Sequence, residues 1–117
     1  MGETSLYFNP RCSKCRTARG LLTEHGIDAH IVEYLKVAPT VAQLQALMEQ
    51  LGISDPREMM RTGEELYASL GLADRSGTAL LEAIAANPIL LERPIVVRDG
   101  RAVIARPPER LLDLLDP

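Results

Sequence analysis

The first 34 residues constrain the fold more tightly than any other stretch of the chain. Ser5-Leu6-Tyr7-Phe8 reads as a short apolar strand closed by Asn9-Pro10. Ser13 to His25 is a good helix former with Ala18, Leu21 and Leu22 on one side, and Gly26 supplies a left-handed stop just after it. Ile27 to Tyr34 then alternates as a second strand. Strand, short turn, helix and strand make a βαβ unit, so the two strands are expected to be parallel with a right-handed crossover.

From about Pro39 to Pro88 the pattern turns helical. Thr40 with Gln43 forms a capping box ahead of Val41, Leu44, Leu47, Met48 and Leu51, and Gly52 follows. Ser54-Asp55-Pro56 is a second start signal, with Pro56 suited to a first helical position. Leu66 to Leu70 before Gly71, and Ala79 to Ala86 before Asn87-Pro88, give two more short helices. Strands then return as Ile95-Val96-Val97 and Ala102 to Ala105, joined by Asp99-Gly100, a strong hairpin signal between two apolar runs. Pro107-Pro108 opens a last helix carrying Leu111, Leu112, Leu114 and Leu115. The order is βαβ, a block of helices, then ββα. The expected class is therefore α/β, a thioredoxin-like βαβ–ββα with a helical insertion over about residues 39–88, in a single domain spanning 1–117.

The two cysteines, Cys12 and Cys15, sit three apart. A disulfide stabilises most by closing a long loop, and this pair would close almost nothing. Residues 1–10 hold Glu3 and no Lys or Arg, with an apolar run too short for a leader's hydrophobic region or a membrane span. The expectation is a cytoplasmic protein with no membrane partner. In a reducing compartment such a pair suggests redox or metal chemistry. A zinc site would need two more ligands, and only His25 and His30 remain, neither at a metal-type spacing from the cysteines. Both His read as surface residues and no metal is expected.

Two ordinary buried cysteines are the plain alternative, but Cys-x-x-Cys opening a helix after a strand favours a nucleophilic or redox role. Cys12 falls in the turn before the helix, where free backbone N–H groups and the positive end of the dipole stabilise a thiolate. Arg11, Lys14 and Arg16 are near in sequence, and together these should lower the Cys12 pKa. Cys15 lies one turn in and should be more buried. The net charge of −3 and pI of about 5.4 exclude the basic field that a nucleic-acid partner needs, so any bound anion must be caught by a few local cations.

Asn9-Pro10-Arg11-Cys12-Ser13-Lys14-Cys15-Arg16 resembles the arsenate reductase family of the ArsC type, related to glutaredoxins. The likeness continues through Glu33-Tyr34-Leu35, Met59-Met60-Arg61, Leu70-Gly71-Leu72 and Asn87-Pro88-Ile89-Leu90. It is strongest at Glu92-Arg93-Pro94-Ile95-Val96-Val97 and Ala105-Arg106-Pro107-Pro108-Glu109. The resemblance implies that Cys12 attacks arsenate and that Arg61, Arg93 and Arg106 hold the oxyanion. It also implies that glutathione, as co-substrate, and glutaredoxin supply electrons, with no cofactor bound. Planar, permanently charged guanidiniums would offset the repulsion between a thiolate and a multiply charged anion. The resemblance further implies a cis peptide bond before Pro94, against the trans preference of X-Pro bonds in general.

Phe8 stands where many members have His, and Cys15 where they have a small hydroxyl residue. The second cysteine resembles the Spx-type regulators, which bind RNA polymerase and sense oxidants through Cys-x-x-Cys. Such a regulator, or a thiol reductase of the same fold with another substrate, is the alternative to an arsenate reductase in which Cys15 is a possible resolving partner. Arg106 weighs toward the enzyme, because a regulator has no need of an oxyanion clamp there.

Overall fold

The computed structural model describes residues 3–115. They divide into two compact units, one running up to Tyr34 and resuming at Arg93, the other spanning Leu35–Glu92.

The first unit holds the sheet. Strand β1 (Thr4–Tyr7) leads through helix α1 (Ser13–Glu24) to β2 (His30–Val32), and the chain returns as the hairpin β3 (Ile95–Arg98) and β4 (Arg101–Ile104). The strand order is β2-β1-β3-β4, with β1 parallel to β2 and antiparallel to β3. The register sets Leu6 opposite Ile31 on one side and Val96 on the other, and Val96 opposite Val103. Paired positions share a sheet face. Leu6, Val96 and Val103 therefore lie in one buried cluster with Phe8, Cys12, Cys15, Ala18, Leu22, Ala105, Leu111 and Leu114. Helix α1 contributes Cys15, Ala18 and Leu22, whose spacing of three and four residues draws one stripe along it. The sheet order and this cover make the unit the α/β thioredoxin-like fold expected.

At the hairpin turn Asp99 has φ 53° and Gly100 φ 76°. Two successive positive φ values are what a two-residue turn of type I′ requires.

The second unit is helical. In α2 (Val41–Leu51) the capping box forms as read: the Gln43 N–H donates to Thr40 Oγ1 at 3.1 Å and the Thr40 N–H to Gln43 Oε1 at 2.9 Å. Helix α2 packs on α4 (Thr78–Ala86), with α3 (Glu65–Ser69) between them in sequence. Arg57 ties the connections together. Its Nε donates to the Tyr67 hydroxyl at 2.8 Å, and its Nη2 to the carbonyls of Leu72 at 2.9 Å and Ala73 at 3.1 Å and to that of Arg75.

Three expectations need correction. The second strand is shorter than Ile27–Tyr34, because the Ile27 N–H is spent on the Leu22 carbonyl at 2.9 Å, closing the end of α1. The stretch opened by Pro56 is a single 3-10 turn, Pro56–Met59. The last helix is a 3-10 helix too, Pro108–Leu114, because its buried residues Leu111 and Leu114 recur every third position. That threefold period puts both on one side of a tighter helix.

Candidate active site

The loop after β1 is built by its own residues. The Arg11 N–H donates to Asn9 Oδ1 at 3.0 Å and the Cys12 N–H to the Asn9 carbonyl at 2.9 Å. Asn folds its side chain back on the backbone in this way, and Pro10 fixes φ in between. The turn delivers Cys12 to the N-cap of α1 in extended conformation, φ −92° and ψ 119°. Cys12 is 8% exposed and Cys15, one turn along, 0%.

No short cap bond of the serine kind forms from the Cys12 side chain. Burial alone would raise its pKa. The Cys15 backbone N–H, the Cys15 thiol and the Arg93 guanidinium turn toward the sulfur and outweigh burial, so the Cys12 thiol is lowered from its ordinary value. Cys15 goes the opposite way: burial first, and then the Cys12 sulfur beside it, push its thiol up to about 12. One sulfur is prepared to carry charge and the other to keep its proton.

The cation at the sulfur is not one of its neighbours in sequence. In place of Arg11, Lys14 and Arg16, which the sequence points to, the guanidinium at the sulfur is that of Arg93, just before β3. Arg16 instead donates from Nη1 to the Pro10 carbonyl at 2.8 Å, and Arg19 covers the Phe8 ring at 5.5 Å. Phe8 is a buried core residue under that cation.

Arg93 precedes buried Pro94, and the peptide bond between them is cis. Its Nε and Nη1 are buried without a hydrogen-bond partner. Arg106 reaches back from the far end of the hairpin, donating from Nη1 to the Arg93 carbonyl at 3.0 Å. The Arg106–Pro107 bond is also cis, which the sequence reading missed in treating Pro107-Pro108 only as a helix start. Nothing in the Arg106-Pro107 pair itself marks the isomer, since trans is favoured for X-Pro bonds in general.

The first unit thus gathers Cys12, Cys15, Arg93, Pro94 and Arg106. Arg61 belongs to the second unit, where its Nη1 pairs with Glu64 at 2.9 Å and its backbone N–H meets the Leu90 carbonyl at 2.7 Å. His25 and His30 are exposed. Among the described residues no three His, Cys, Asp or Glu side chains gather as a metal site, and no helix is long and apolar enough to cross a membrane.

Chemically, the site combines a thiol with a lowered pKa and a part-buried cation with two buried donors to spare. Such a pair suits an oxygen-rich anion whose central atom a thiolate can attack.

The profile of the ArsC family matches residues 7–114. The uncharacterized protein YfgD of Escherichia coli (strain K12) is 45% identical over 115 residues, 97% of this chain and 97% of its own length. An arsenate reductase of Haemophilus influenzae is 46% identical over 112 residues, covering 94% of this chain and 97% of its own. The solved structure of an arsenate reductase from Vibrio cholerae superposes with a TM-score of 0.93 at 45% identity, over 96% of this chain and 97% of that one.

Proposed function

Because this chain belongs to the ArsC family, we propose that it is a thiol-dependent arsenate reductase of the cytoplasm, with Cys12 as the attacking sulfur. The observation that carries the reading is Arg93: a part-buried side chain beside a lowered thiol, whose buried Nε and Nη1 donate to nothing in the protein. Unpaired buried donors on a charged group are costly unless an acceptor completes them. A tetrahedral oxyanion offers several acceptors at once, and attack by Cys12 requires it to sit there.

The thiolate adds to arsenic and a hydroxide leaves, giving a Cys12 thiol–arsenate ester. Glutathione then attacks that ester. The two sulfurs together give up two electrons and join as a mixed disulfide, while arsenic(V) takes those electrons and departs as arsenite. Glutaredoxin resolves the mixed disulfide and returns Cys12 to its thiol. No bound cofactor is needed, since both electrons come from thiols. Cys15 does not compete as the resolving thiol on this route, because a buried thiol pushed up to about 12 is protonated at neutral pH. The family likeness assigns the oxyanion to Arg61, Arg93 and Arg106 together; for Arg61 the likeness is the sole support, and Arg61→Ala tests it.

The deciding assay is arsenate-dependent NADPH oxidation with glutathione, glutathione reductase and glutaredoxin, each omitted in turn. Full turnover should need all three. Cys12→Ser should be inert, since a serine hydroxyl is hardly ionised at neutral pH, and Cys15→Ser should keep most of the rate. An active Cys12→Ser enzyme overturns the mechanism, and a dead Cys15→Ser enzyme overturns the external route.

A further inference from the structure

The resemblance treats Arg93 and Arg106 as equivalent oxyanion ligands, but the structure gives them different work. The Arg93 side chain has two buried donors with no partner, whereas Arg106 spends Nη1 on a protein acceptor, the Arg93 carbonyl, at 3.0 Å. A second bond reinforces the same corner, the Ala105 N–H donating to the Pro94 carbonyl at 2.9 Å. Next to these comes the first rung of the hairpin, Ile95 opposite Ile104, with both Ile95 and Ala105 fully buried. The segment that presents the Arg93 guanidinium is therefore fastened to the end of β4 at successive residues. Arg106 is the one side chain in that fastening.

We infer that Arg106 is a positioning residue: its bond to the Arg93 carbonyl fixes the Arg93–Pro94 corner and so holds the Arg93 guanidinium against the Cys12 sulfur. The inference refines the oxyanion reading above and rests on it only for what the anion is. If Arg106 works through Arg93, losing it loosens the guanidinium and the thiolate loses part of its support even with no anion present. Arg106 is not among the groups that act on the Cys12 sulfur directly, so a role confined to the anion would leave the pH profile of the free thiol in place. The donor chemistry separates the two roles as well, since a carbonyl needs a single N–H whereas a bidentate anion contact needs the planar fork.

The test is the pH dependence of Cys12 alkylation by iodoacetamide, with and without sulfate as the anion probe, in Arg106→Ala, Arg106→Lys, Arg93→Ala and the double Ala variant. Arg106→Ala should raise the apparent Cys12 pKa; a rise of one unit cuts the thiolate about tenfold at pH well below it. Sulfate protection should weaken in parallel, Lys should restore much of both, and the double variant should match Arg93→Ala alone. An unchanged pH profile in Arg106→Ala, or effects of the two Ala changes that multiply, overturns the inference. If the Ala variant does not fold, Arg106→Gln is read by the same two measurements. Failure of the wild-type protein to turn over arsenate would sink the proposed activity and not this coupling, which alkylation reads without substrate.

Discussion

At the scale of single residues the site is a division of labour between two sulfurs one helical turn apart. Cys12 should be the fast thiol, its alkylation rate rising through a midpoint below the ~8.5 of a free cysteine, with Cys15 unlabelled in the folded protein. A Cys12 midpoint at the free value would remove the basis for its role. Cys15 should serve as a donor to that sulfur, so Cys15→Ser should keep the low midpoint and Cys15→Ala should raise it. The raised Cys15 thiol also has a signature in stability. Above ~8.5 the unfolded chain has released the Cys15 proton while the folded protein still holds it, so stability falls as pH rises toward the folded value. Cys12 is present in both the wild-type protein and Cys15→Ser, so its own contribution drops out of the comparison. Urea midpoints at pH 8 and 9.5 should therefore drop more in the wild-type protein than in Cys15→Ser.

The element that positions the site is the hairpin, whose two ends carry Arg93 and Arg106. Gly100 has φ 76° at its turn, and the space where a Cβ would go is open. Gly100→Ala therefore meets no clash and should cost about 1 kcal/mol from backbone strain alone, read as a lowered urea midpoint. A midpoint unchanged by that substitution would mean the turn tolerates another geometry. The hairpin was legible in the sequence because Asp99-Gly100 acts through local backbone chemistry, and the Thr40–Gln43 cap was legible for the same reason. Helix type was not: leucines at 111, 112, 114 and 115 satisfy an α-helical stripe on paper, and only packing selects the threefold pair Leu111 and Leu114. Strand length failed similarly at Ile27, whose alternating neighbours gave no sign that its N–H would close a helix.

Across the molecule, what was hard to read is whatever depends on strands meeting across a long interval of chain. Cys12 could be picked out from its neighbours, whereas Arg93 entered only through family likeness and its nearness to the sulfur is made by β3 lying beside β1. The same non-local packing sets the core. Leu111 is fully buried in the cluster that holds Cys15, so Leu111→Ala should cost about 2–5 kcal/mol in urea unfolding. A loss below 1 kcal/mol would show the cluster closing over the gap. The interrupted layout of the first unit has a consequence for how the protein is made. A ribosome releases the thiol-bearing loop first, then residues 35–92, and only afterwards the arginine and strand that complete the sheet. Until β3 slots against β1, the nascent Cys12 lacks its guanidinium and should ionise less readily than in the finished fold. The support that Arg93 gives the sulfur is thus expected only once the last strands are in place.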